Sequence, residues 1–267
     1  MRTPSSNEDV IRPLPTFLGA VSGLWLLTWR RRLAWRQLPA LLATVLAVPL
    51  LACLAAFSRP EHAPRFYQWV VVSYLQVALP LYCLSVLGDV VRGELQTNTL
   101  VFLATRPLSR ARLFVVKFLC EMAWVQVLGV ACTLLLVGVG LAQGMREAAS
   151  MAPLLLAIQV LAVAAYGALS SLLGLVHRRF LVLGAIYGLV VEVGIGQIPT
   201  NINNLSINCH LRTLLAHVAS LSDAYDWSPD GTYTSLLILL VAPVVMVAVA
   251  ALLFTWREYH YTEEMHR

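Results

Sequence analysis

Gly88-Asp89-Val90-Val91-Arg92-Gly93-Glu94-Leu95-Gln96-Thr97-Asn98-Thr99-Leu100-Val101-Phe102-Leu103-Ala104-Thr105-Arg106-Pro107-Leu108-Ser109-Arg110 is a polar passage set between two long apolar runs. From Asp89 to about Thr105 its pattern suits a helix, with leucines and Phe102 on one side and polar residues on the other. Pro107 ends that helix, Ser109 can cap a second one, and the next apolar run begins near Leu113. The passage therefore reads as a short amphipathic helix, a sharp turn and a return into an apolar segment. A rigid element held between two spans in this way can transmit force from a docked partner.

Outward from this passage the chain is apolar almost throughout. Of 267 residues, 59% are hydrophobic and 12% charged, about half the charged share of a soluble domain, and the mean hydropathy is +0.74. Such a composition cannot cover a water-facing globule and marks a membrane protein. A spanning helix needs about 20 apolar residues. Uncharged runs of that order cover Gln37 to Ser58, Phe66 to Gly88, Met122 to Met145, Ala148 to Val176 and Gly231 to Trp256, and a sixth, Phe180 to Ile198, carries one charge, Glu192.

The expected fold is an all-α polytopic membrane protein, a single transmembrane domain over 1–267. Its six transmembrane helices fall at about 37–58, 66–88, 115–143, 150–176, 180–198 and 233–256. An N-terminal interfacial helix at 13–35 precedes them, with a seventh, marginal span over Pro13 to Trp29 as the alternative; a cytoplasmic helix lies between spans two and three, and short outer helices come before the last span. Within the first of these, Phe17, Leu18, Val21, Leu24 and Trp25 form a one-sided stripe, Thr16 is a plausible N-cap, and Arg30-Arg31-Arg32 closes the segment. The polar, mixed-charge start, Met1 to Arg12, is unlike a cleavable signal peptide.

Orientation follows from the cations. With both termini inside, fifteen of the nineteen basic residues fall on inner segments, and only Arg59, Arg65, Arg146 and Arg212 on outer ones. The net charge of +5 is thus a topology signal, and no basic face is left over for nucleic acid. Lys117 is the only lysine. A Walker A loop would have to use it, and Val116 precedes it where glycine is required. Any ATP that powers this protein is therefore expected to be bound by another chain, and the chain itself is not expected to be an enzyme. It lacks H-E-x-x-H and G-x-S-x-G.

Cys53, Cys83, Cys120, Cys132 and Cys209 show no C-x-x-C pair or ligand spacing and read as small apolar residues. Cys209, His210 and His217 likewise lack metal spacing, and Asp223, Asp226 and Asp230 lack that of a calcium loop. No resident metal or cofactor is expected. The outer segment from Pro199 to Asp230 holds Ile202, Leu205, Ile207, Leu211, Leu214, Leu215 and Val218, which suit one or two short interfacial helices, and Asn204-Leu205-Ser206 matches a glycosylation sequon. Lys117 and Glu121, at i and i+4, are expected to neutralise each other at the membrane edge.

Glu192 is the acidic residue well inside an apolar segment. Twelve residues beyond Phe180, it sits about 18 Å along the helix, where a carboxylate costs about 2.5–3.5 kcal/mol. It must face protein or water. Two readings stand open: a cavity-lining residue that touches substrate or a proton, or a carboxylate hydrated near the outer surface where Gly194 and Gly196 loosen the helix.

The polar passage resembles that of the permease subunits of type-2 ABC exporters. Their pattern is a glutamate, a Gly-Thr-Leu shortly after, a leucine-rich segment, Pro-x-Ser-Arg and a lysine at the start of the third span. Glu94, Thr99-Leu100, Leu103, Pro107-Leu108-Ser109-Arg110 and Lys117 fall in that order, with Asn98 where the family usually has glycine. The six-span plan is also similar, so the resemblance covers nearly the whole chain, though the inner passage is its specific part. It implies a transmembrane subunit that pairs with a second permease copy or related permease and with a cytoplasmic ABC ATPase that binds ATP and Mg. It also implies an ATPase-coupling surface on Asp89, Arg92, Glu94, Thr99, Leu100, Arg106 and Arg110, with the His177-Arg178-Arg179 turn, above all Arg178, as a smaller contact. The blander reading of Arg92, Glu94 and Arg110 is a solvated loop against lipid headgroups. The resulting expectation is a multi-pass permease in a bacterial inner membrane, exporting an amphipathic or lipid-like substrate. The alternatives are an ATPase-driven membrane scaffold and an ATPase-independent carrier.

Overall fold

The structure, a computed structural model, describes residues 17–33, 73–90, 109–142, 144, 147–194, 201–218, 222 and 226–256. Every regular element among them is helical. Span one, the first part of span two and most of the polar passage, including Arg92, Glu94, Thr99, Leu100 and Arg106, lie outside the described residues.

The described helices are α1 (Phe17–Arg32), α2 (Leu79–Leu87), α3 (Arg110–Ala142), α4 (Glu147–Val176), α5 (Phe180–Tyr187), α6 (Ile207–Leu215) and α7 (Thr232–Trp256). Two carry a widened turn. Tyr74–Ala78 leads into α2 as a π-helical turn, because Pro80 has no N–H to continue an ordinary α ladder. Gly188–Gly194 prolongs α5 in the same wide form. Three helices, Arg110–Ala142, Ala148–Val176 and Thr232–Trp256, are long and apolar enough to cross a membrane, and Tyr74–Leu87 and Phe180–Glu192 are shorter apolar helices. Helix α3 begins at Arg110, five residues before the expected 115, so Arg110 and Arg112 project as its exposed first turn.

Helix α4 is the hub, packed by α2, α3, α5, α6 and α7. Its interior surface is small or apolar: Ile158, Ala162, Val163, Ala165 and Ala168 are all buried. Leucines and valines on the outer faces of α3, α5 and α7 are exposed, the inverse of a soluble bundle and the surface a hydrocarbon solvent requires. Tyr233 and Trp256, at the two ends of α7, are among the most exposed side chains and suit the two interfacial belts.

Glycines set the closest approaches. A side chain at Gly174 would run into the Gly88 backbone, one at Gly88 into the Phe180 ring, and one at Gly184 into Leu84. The ends of α2 and α4 and the start of α5 therefore meet at one level. On the α3 side, Gly129 lies against Gln159, and the short connection after α3 makes α3 and α4 antiparallel. From Gly129 back to Phe114 and from Gln159 on to Gly174 are both fifteen residues, about 22 Å. The Phe114 ring lies tilted against Phe254 of α7, ring centres 5.8 Å apart. Gly88, the start of α3, the 177–179 turn and the end of α7 thus share one end of the bundle, which also carries the exposed Arg110, Arg112, Arg178 and Arg179.

Candidate functional site

The arginine end is where the predicted coupling residues that are described come together. Asp89 follows Gly88 in the turn after α2, and the Gly88 backbone is pressed onto Gly174, three residues before His177. The base of the polar passage is therefore held beside the 177–179 turn by backbone packing that no side chain could replace. In that turn the Arg179 N–H donates to His177 Nδ1 at 3.0 Å, which leaves Arg178 projecting outward from a braced loop. Arg110 stands exposed on the first turn of α3 at the same end.

Helix α1 is clamped onto α3. Leu24, Thr28 and Arg32, spaced at i, i+4 and i+8, share one face, and the first two are buried. Trp29 meets Trp124 edge-on at 5.1 Å and stacks on Trp25 at 5.6 Å. Arg32 Nε donates to Glu121 Oε2 at 3.0 Å, and its terminal nitrogen stands equally close. Arg32 with Glu121 and Trp29 with Trp124 run in opposite senses along the two helices, so α1 is locally antiparallel to α3. The charge expected to meet Glu121 is Lys117, one turn away; the structure also brings Arg32 of α1 onto the same carboxylate. The packing face keeps Leu24 from the expected stripe and continues through Thr28 and Arg32, which an apolar pattern cannot mark.

Glu192 occupies the most elaborate polar site. Its side chain, 4% exposed, lies in the wide turn after α5. Oε2 accepts from the Ser206 hydroxyl at 2.6 Å and from the Asn208 N–H at 2.8 Å. Oε1 accepts from the Ile207 N–H at 3.2 Å. Ser206 is itself the N-cap of α6, its Oγ accepting from the Cys209 N–H at 3.2 Å. Three successive N–H groups at the start of α6 are thereby satisfied, two by the carboxylate and one by the hydroxyl. A helix begins with four unpaired N–H groups and a partial positive charge, so an anion placed there is doubly favoured.

The reason for this arrangement is depth. Glu192 is about 18 Å from the arginine end, and Tyr166 of α4, ten residues before Val176, gives its hydroxyl to Asn208 Oδ1 at 2.9 Å. The first turn of α6 thus starts inside the bundle. Its far side climbs to the opposite end, where His217 meets the Thr232 hydroxyl at 3.2 Å and the buried His210 ring bridges Ser235 Oγ at 3.1 Å and the Asn204 carbonyl at 3.0 Å. An interfacial helix on the outer surface was expected. The structure instead makes α6 a re-entrant helix, with Leu211 and Leu215 completely buried. In hydrocarbon, an unpaired N–H costs several kcal/mol. The three bonds to the carboxylate, each contributing about 1.5–3 kcal/mol as bonds to a charged group, offset the insertion cost of Glu192. Within the sequon Ser206 is fully buried and hydrogen-bonded, while Asn204 is exposed.

A second polar seam ties α2, α3 and α4. The Tyr74 hydroxyl donates to the Gly129 carbonyl at 2.9 Å, and the Gln159 amide donates to Gln126 Oε1 at 3.1 Å. These groups pair between helices, as polar side chains in a membrane tend to, while Gln159 Oε1 is buried without a hydrogen-bond partner.

Sequence reasoning found Glu192 but not Ser206, Asn208, Tyr166, His210 or Ser235. The available signal was Ser206 directly before Ile207, with Leu211, Leu214 and Leu215 repeating at helical spacing, a capped amphipathic helix by pattern alone.

Helices of this length and surface, a re-entrant segment satisfied from within and an arginine-rich end define a polytopic helical membrane protein. The model of the family described as ABC-2 family transporter protein matches residues 29–193, well over half of the chain. The chain belongs to that family. No curated protein and no solved structure matches it.

Proposed function

We propose that this chain is the membrane-spanning permease subunit of an ATP-binding-cassette exporter. The observation that carries the reading beyond family membership is the backbone contact of Gly88 with Gly174. It joins the base of the polar passage to the 177–179 turn, so that a push on either is delivered to α2, α4 and α5 together. In this reading the arginine end faces the cytoplasm of a bacterial inner membrane and both termini lie there. The passage from Asp89 to Arg110, with Arg92, Glu94, Thr99, Leu100 and Arg106, docks on a separate ATPase that binds ATP and Mg, and Arg178 makes the smaller contact. Two permease chains, identical or related, enclose the transport path among twelve spans, six from each. The substrate is amphipathic or lipid-like, because among the described residues the buried charged side chains are few, Lys117, Glu121 and Glu192, and the other buried polar groups are amides, hydroxyls and the His210 ring.

The carrier alternative needs ionisable groups exposed to a transport path. Buried charged residues among those described are Lys117, Glu121 and Glu192, and the last is occupied by α6. A scaffold driven by the same ATPase differs from an exporter only in moving no substrate. The two are separated by sealed vesicles holding the complex and a fluorescent lipid-like probe. ATP-dependent movement of the probe is expected, and ATP turnover without movement of any amphipathic probe would favour the scaffold.

A further inference from the structure

We propose that Glu192 is a latch within the bundle: its carboxylate holds the re-entrant helix α6 inside, and detachment of α6 from it exposes that helix to the side opposite the arginine end. The proposal rests on the permease reading for its purpose, and on geometry for its existence.

Three observations point to it. Both carboxylate oxygens are committed to a separate element, fourteen to sixteen residues further along the chain, while Tyr187 of the preceding helix lies close beside the same carboxylate. The segment that presents Glu192 is a wide π-helical turn bounded by Gly188 and Gly194, a form of backbone that recurs at functional sites in helices. Further ties of α6 and the turn after it go to uncharged partners: the Tyr166 hydroxyl donates to Asn208 Oδ1 at 2.9 Å beside the carboxylate, His210 meets Ser235 Oγ at 3.1 Å, Arg212 reaches Gln76 Oε1 at 3.4 Å and lies over the Trp227 ring, and His217 meets Thr232 at an exposed position, so among these the carboxylate is the charged tie.

These features make two states rather than a continuum. With α6 seated, carboxylate and helix N-terminus satisfy each other. With α6 withdrawn toward the far side, water must reach both, since leaving either buried and unpaired is costly. Intermediate positions satisfy neither partner, which is the condition for a discrete switch. Glu192 acts as a positioning residue for α6 and contacts no substrate in this scheme.

Cys209, in the first turn of α6 and partly buried, is a native reporter. With Cys53, Cys83, Cys120 and Cys132 replaced by alanine in the full-length chain, Cys209 becomes the single thiol, and a membrane-impermeant maleimide applied from the far side of sealed vesicles reads its exposure. Glu192→Ala is expected to raise the labelling rate by about tenfold or more, the scale of losing charge-assisted hydrogen bonds. Glu192→Asp, which retains the charge but withdraws it by one methylene, should fall between. The decisive variant combines Glu192→Ala with Ser206→Asp. It gives α6 a carboxylate at its own N-cap and so preserves the helix while cutting the tie to α5. Fast labelling of this double variant with unchanged helix content supports the latch. Labelling at the parental rate overturns it and reduces Glu192 to a local cap. A separate arm adds ATP to the parent protein with its ATPase. If the variants label fast and ATP leaves the parent unchanged, the latch stands and the ATP-driven reading fails.

Discussion

The Arg32–Glu121 pair shows what a single side chain contributes to this fold. Glu121 is 5% exposed, and the Arg32 side chain keeps about a quarter of its surface in the open, 25%. Coulombic attraction is therefore partly screened, and the cost of breaking the pair falls below the 3–5 kcal/mol of a fully buried one. Arg32→Ala is expected to destabilise by about 1–2 kcal/mol and to lower the melting temperature in detergent by about 3–8 °C. An unchanged melting temperature would show that α1 is held by its tryptophans alone. The local i, i+4 rule names Lys117 but leaves out Arg32, because sequence spacing sees neighbours on one helix and is blind to a partner 89 residues away. Glu192 was legible for the same local reason, as a charge in an apolar run. Its partners were not, since two are backbone N–H groups that carry no sequence signature.

At the scale of helices, the glycines divide into those that allow contact and those that do not. A Cβ at Gly174 would strike the Gly88 backbone, which has no rotamer to give, whereas one at Gly129 would meet the movable amide of Gln159, and nothing lies near Gly138. Gly174→Ala is expected to destabilise by about 1–3 kcal/mol. Gly129→Ala should cost less, and Gly138→Ala should be neutral or gain up to about 1 kcal/mol from helix propensity. Thermal unfolding of the three variants checks the ranking, and equal losses at 174 and 138 would contradict the close approach of α2 to α4. Apolar runs marked the three described helices that are long and apolar enough to cross a membrane, Arg110–Ala142, Ala148–Val176 and Thr232–Trp256, because burial in lipid demands length and little else. The depth of α6 escaped, since one capped amphipathic nine-residue helix serves equally on a membrane surface or inside a bundle.

For the whole molecule, the two ends of the bundle are built for different tasks. The arginine end is joined by glycine contacts that bring α2, α4 and α5 together, and α6 is held by the Glu192 carboxylate together with hydrogen bonds that link it to Tyr166, Ser235 and Gln76. In the proposed reading the first is a rigid input and the second a releasable output, as alternating access requires; the ABC-2 family match over 29–193 supports a permease. The central claim is that an ATPase drives the rigid end through the polar passage. The most direct measurement is purification of the chain from its native membrane in mild detergent, with mass spectrometry of its partners, run in parallel on Glu94→Arg. The account predicts a P-loop ATPase near one-to-one with the parent chain and its loss from a variant that still inserts and elutes normally. An ATPase retained in full by Glu94→Arg would remove Glu94 from the coupling surface, and no ATPase with the parent chain in any mild detergent would contradict the claim itself.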